Sequence, residues 1–137
     1  MKYLLPVNNS KISIETVEKT LQEVKPNNEI VIVHCLPDQR ELQGDTFISN
    51  QEKREKLAEE TIEKVHSLCE RYNFSNYKTE ILYSTSIAEG IKTAEDRFEP
   101  DEIRMGHKNT RKDQKSITKS LLQISETPVT GVTEKMI

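Results

Sequence analysis

Apolar residues recur along this chain in two alternating rhythms. Short, nearly continuous apolar blocks predict strands at 2–7, with Tyr3, Leu4, Leu5 and Val7, and then at 30–33, 78–83, 103–105 and 129–132. The block Ile30-Val31-Ile32-Val33 is apolar throughout and bounded by turn residues, as a strand buried on both faces requires. Between the blocks, apolar residues fall at steps of three and four, which gathers them on one side of a helix. Ile14, Val17, Leu21 and Val24 mark a first helix, capped by Ser10 or Ser13 and broken at Lys25-Pro26-Asn27-Asn28. Leu57, Thr61, Val65, Leu68 and Tyr72 mark a long charged helix over 51–72; Ile87, Ile91, Ala94 and Phe98 a third; Ile117, Leu121 and Ile124 a fourth. The stretch 37–50 carries no strong period and is expected to be a polar connection.

Strand and helix alternate to the end, which predicts a parallel sheet covered by helices on both faces. With right-handed crossovers this is a doubly wound α/β domain. One residue conflicts locally. Pro6 cannot donate to a ladder, so it is expected at the carboxyl end of the first strand, where pairing stops.

Bulk properties narrow the function. The 137 residues fit one domain, 1–137, with a core of its own. A formal charge of −3 argues against general nucleic-acid binding. No apolar run approaches the roughly 20 residues of a membrane span, and the first residues turn polar too soon for a signal peptide, so the expected location is cytoplasmic. Cys35 and Cys69 make no disulfide framework and are expected as inert buried thiols. His34, His66 and His107 lack metal-ligand spacing, and His34 is expected to pack or hydrogen-bond. Glu59, Glu60 and Glu63 alternate with Lys56 and Lys64, which reads as a solvated helix face. No catalytic residue or metal ligand can be assigned.

The most specific motif lies near the end: Met105-Gly106-His107-Lys108-Asn109, nine residues, Lys119-Ser120, then Thr127-Pro128-Val129-Thr130-Gly131-Val132. A short strand runs into glycine, a basic loop leads to a helix, and a Pro-Val strand follows. This resembles the end of a universal stress protein, and the resemblance covers nearly the whole chain. In that family the loop reads Gly, two residues, Gly, nine residues, Gly, then Ser or Thr, and in many members it cradles the phosphates of ATP. Here the spacing holds, but Asn109 and Lys119 stand where the second and third glycines would be.

The resemblance implies a five-stranded sheet of order 3-2-1-4-5, with the reversal between the first and fourth strands, where doubly wound sheets take ligands. The nucleotide or anion site it implies comprises Val7, Asn8, Asn9 and Ser10 on one loop and Met105, Gly106, His107, Asn109, Lys119 and Ser120 on the other. Asn8 occupies the position of a usual Asp and Asn9 that of a Gly. Asn8 brings no charge; Asn9 is expected to tolerate a left-handed backbone. Cβ atoms at 109 and 119 narrow the backbone approach to an anion. Five basic residues against Asp113 give 107–119 a local charge of +4, so two readings stay open. Either the loop holds phosphate through side chains, or it is a solvated surface balancing Glu95, Asp96, Glu99, Asp101 and Glu102.

The function these features suggest is that of a non-catalytic, cytoplasmic stress-response or regulatory protein with a degenerate nucleotide loop. No cofactor is expected; the alternative is an ATP- or AMP-binding member of the same family with at most slow hydrolysis. The partners expected are a second copy, joined through Val129, Thr130 and Val132, and an unidentified protein; neither nucleic acid nor membrane is expected. A receiver or flavodoxin-like domain is disfavoured, because Asn8 and Asn9 replace the acidic cluster a receiver needs.

Overall fold

The apolar blocks become five strands and, among the described residues, three helices. The computed structural model describes residues 1–37, 44–107 and 127–133. Its elements are β1 (Lys2–Pro6), α1 (Lys11–Glu23), β2 (Glu29–Pro37), α2 (Gly44–Arg71), β3 (Tyr77–Ser84), α3 (Ile87–Phe98), β4 (Glu102–His107) and β5 (Val129–Thr133). All pairings are parallel, in the order β3-β2-β1-β4-β5. That is the expected doubly wound sheet, and it excludes the flavodoxin-like order 2-1-3-4-5. The fourth helix expected around 117–124 lies outside the described residues.

Alternation along the central strands divides the core in two. On one face Tyr3, Leu5, Ile30 and Ile32 pack under Val17 and Leu21 of α1 and Val65 and Leu68 of α2. On the other, Leu4, Val31, Val33 and Ile103 pack against Ile91 and Ala94 of α3. Leu4, Val31, Ile32, Val33 and Ile103 are wholly buried, as strands covered on both faces must be. Pro6 is the last residue of β1, paired with Val33, and the next N–H, of Val7, donates to the Val33 carbonyl at 2.8 Å. The proline therefore sits where the ladder is ending, as expected.

Two boundaries differ from the periodicity. β2 continues past Val33 to Pro37, because β3 pairs with it over eight consecutive positions and carries His34, Cys35 and Leu36 along. α2 begins at Gly44, before the apolar stripe starts. Once a helix is nucleated, each added residue gains a hydrogen bond at little cost, so a helix can outrun its buried face. Its 28 residues span about 42 Å at 1.5 Å per residue. Tyr83, near the end of β3, donates to Glu55 of α2 at 2.9 Å. The helical residues before Glu55 therefore rise beyond the carboxyl ends of the strands. α2 closes with Asn73 in the left-handed region, φ 53°, and the Phe74 N–H returning to the Cys69 carbonyl at 2.8 Å.

Candidate functional site

The strand order reverses between β1, which leads to α1 on one side, and β4, so the carboxyl ends of these strands open a crevice. A cavity of about 70 Å³ occupies it. Pro6, Val7, Cys35, Ile87 and Met105 give it apolar walls; Asn8, Ser10, Ser13 and Gly106 complete the described lining. Five of the residues expected from sequence, Val7, Asn8, Ser10, Met105 and Gly106, thus meet in one place. Asn109, Lys119 and Ser120 lie outside the described residues, and His107 is the last residue of β4.

Ser10 is the N-cap of α1, and its hydroxyl accepts from the Ser13 N–H at 3.3 Å. Asn8 closes the turn before it: its side-chain oxygen accepts from the Ser10 N–H at 2.9 Å, and its own N–H donates to the Ser13 hydroxyl at 2.9 Å. The loop is thereby satisfied from within. Asn9 is not in the cavity lining. Its side-chain oxygen accepts from Lys64 of α2 at 2.8 Å. The tolerance of Asn9 for a left-handed backbone is not used: among the described residues only Asn73 and Glu99 are non-glycine positions with positive φ. The Asx turn at Asn8 supplies the bend, so the next residue needs no left-handed conformation.

Gly106 sits in a tightly packed place. A Cβ there would lie 3.0 Å from the carbonyl oxygen of Ile12 and 3.1 Å from the Thr16 hydroxyl oxygen. That hydroxyl already donates to the Ile12 carbonyl at 2.6 Å. A side chain at 106 would press β4 and α1 apart by a few tenths of an ångström.

Sequence reasoning missed Pro6, Ser13, Cys35 and Ile87 as lining residues. Ser13 had been noticed only as a cap candidate, and Cys35 reaches the crevice because β2 extends to Pro37. Burial pushes the Cys35 thiol up to about 12 and the Cys69 thiol up to about 11, so both stay protonated near neutrality. His34 is buried, its Nδ1 has no hydrogen-bond partner, and burial holds its pKa below the ordinary 6.5. It is a neutral, packed ring. No group of three or more His, Cys, Asp or Glu among the described residues could hold a metal ion.

The basic loop lies outside the described residues; among the acidic residues expected to balance it, Glu95, Asp101 and Glu102 have partners within the described part. Glu95 is buried, accepts from the Thr127 N–H at 3.2 Å and meets Lys92 at 3.5 Å. Asp101 accepts from the Lys2 N–H at 2.8 Å. Glu102 takes Arg104 at 2.8 Å and the Thr130 hydroxyl at 2.9 Å.

No protein-family model and no curated protein matches the sequence. Solved structures do. The hypothetical protein MJ0577 superposes with a TM-score of 0.72 at 22% identity, covering 97% of this chain and 95% of its own. The universal stress protein of Archaeoglobus fulgidus in complex with dAMP gives 0.69 at 16%, covering 96% of each chain. A universal stress protein family protein of Arabidopsis thaliana with AMP bound gives 0.66 at 15%, covering 97% and 91%. The chain therefore has the fold seen in universal stress protein structures over nearly its whole length. Identities this low establish the fold and nothing finer.

Proposed function

We propose that the protein is a non-catalytic, universal-stress-protein-like regulatory protein of the cytoplasm, a single domain acting as a homodimer, whose nucleotide crevice is degenerate. The observation that carries this reading is the self-satisfied loop at Asn8. The groups there that could face a nucleotide are engaged locally: the Asn8 N–H donates to the Ser13 hydroxyl, the Asn8 side-chain oxygen accepts from the Ser10 N–H, and the Ser10 hydroxyl accepts from the Ser13 N–H. The volume supports it: small-molecule sites usually enclose about 300–1,000 Å³, against about 70 Å³ here. The non-catalytic reading is supported by the protonated Cys35 thiol and by a described lining without carboxylate or histidine. Titration calorimetry with Mg-ATP and with AMP tests the reading. Dissociation constants weaker than about 100 μM, roughly −5.5 kcal/mol, are expected. Sub-micromolar affinity, or nucleotide carried through purification, overturns it.

The second reading is an AMP- or ATP-binding protein with at most slow hydrolysis, its site formed by Val7 to Ser10 with Met105 to His107, Asn109, Lys119 and Ser120. Similar structures with AMP and dAMP bound favour it. Asn109→Gly with Lys119→Gly separates the two. If backbone shape limits binding, the pair raises ATP affinity at least tenfold, about 1.4 kcal/mol. A fall in affinity instead means that Lys119 contacts phosphate through its side chain.

A further inference from the structure

At the far side of the sheet, β3 is an edge strand of eight residues, and among the described residues nothing pairs with its outer side. Such an edge presents free N–H and C=O groups in strand register. Beside it runs a groove of about 540 Å³ between α2 and β3. Glu59, Ile62, Glu63 and His66 form the helix wall, and Thr79, Glu80 and Ile81 the floor.

The wall is acidic in a regular way. Glu55, Glu59 and Glu63 recur at steps of four on one face of α2. Glu55 accepts from the exposed Tyr83 hydroxyl at the end of the groove. Glu59 and Glu63 are exposed and have no partner among the described residues. Glu80 borders the groove, but its carboxylate pairs with Arg97 of α3. The groove thus carries two carboxylates, Glu59 and Glu63, without an ion-pair partner among the described residues, above half-buried apolar residues.

We propose that this groove docks a basic segment of a partner protein, which adds to β3 as an extended strand and sets its lysines or arginines against Glu55, Glu59 and Glu63. Spacing supports the match. Carboxylates four residues apart on a helix recur every 6 Å or so. Alternate side chains of an extended peptide recur roughly every 6.7 Å. A peptide with a basic residue at every second position therefore meets the three glutamates in turn. Backbone pairing supplies affinity, and the charge pattern supplies selectivity.

The probe is a fluorescein-labelled peptide, Lys-Thr-Lys-Val-Lys-Thr-Lys, titrated with the full chain and read by fluorescence anisotropy. Saturable binding is expected at low salt, at least tenfold weaker for Glu59→Lys with Glu63→Lys and for the same peptide N-methylated at alternate backbone positions. Glu59→Gln with Glu63→Gln, which only neutralises the wall, should weaken it in the same direction and serves if the charge-reversed chain does not fold. Absence of saturable binding overturns the proposal. So does equal binding by the variants, or by the N-methylated peptide. Self-association of the chain that these substitutions abolish assigns the groove to a second copy and overturns the peptide assignment.

Discussion

At the scale of single residues, two glycines and a histidine make measurable claims. A methyl group at Gly106 meets backbone of α1, which cannot rotate away. Gly106→Ala is expected to cost about 1–3 kcal/mol, the range for overpacking a closed site, read as a lower urea midpoint. At Gly90 the obstacles are side chains, the Ser84 hydroxyl oxygen at 2.7 Å and the Cys35 sulfur at 2.9 Å. Gly90→Ala should therefore be rescued in part by Ser84→Ala, whereas no single side-chain truncation should rescue Gly106→Ala. His34 predicts a pH dependence. Its pKa in the fold lies below 6.5 because burial penalises the charged ring. As pH falls through 6.5 the unfolded chain takes up a proton that the folded chain refuses, so stability falls with pH and levels off only below the folded pKa. Urea midpoints between pH 7.5 and 5.5 should show this slope, and His34→Leu should flatten it. The thiols make a simpler claim. A cysteine of pKa about 12 is ionised in roughly one molecule in ten thousand at pH 8, so Cys35 should react with a disulfide reagent only after the chain is unfolded in urea.

At the scale of elements, β5 has side-chain attachments besides its ladder to β4. The buried Glu95 accepts from the Thr127 N–H just before the strand, and Glu102 accepts from Thr130 within it. Glu95→Ala removes a buried acceptor of the Thr127 amide and should raise hydrogen exchange across 127–133 while leaving β1 and β2 protected; the loss of one such buried partner costs about 1–3 kcal/mol. The elements themselves were largely legible. Strands two-sided in their burial, such as β1 and β2, announced themselves as apolar blocks, and helices with one buried stripe, such as α3, by spacing. The start of α2 was not legible, because a helix that extends beyond the sheet needs no apolar period there. Cys35 was not recognised as part of the crevice for a related reason: the length of β2 is set by its eight pairings with β3, and no local signal encodes a partner strand. Gly106 stood out in the sequence as part of a motif, but the contact that crowds it, the Ile12 carbonyl of α1, is visible only in three dimensions.

For the whole molecule, the proposed dimer is the claim most exposed to test. β5 is the other sheet edge, and an edge of this kind favours a symmetric partner. Removing residues 127–137 should leave monomer or aggregate in light scattering; a well-folded dimer lacking β5 would place the interface elsewhere. The order of strands also bears on how the chain is made. β1 is the middle strand, with β2 on one side and β4 on the other. β2 follows it closely, but Tyr3 pairs with Glu102, far later in the sequence. At about 5–20 residues per second of synthesis, this leaves one flank of β1 uncovered for roughly 5–20 s on the ribosome. Leu4, wholly buried in the finished fold, sits on that strand. The nascent chain, rather than the mature protein, is thus the species most in need of a chaperone, and its exposure ends only when β4 arrives to close the sheet.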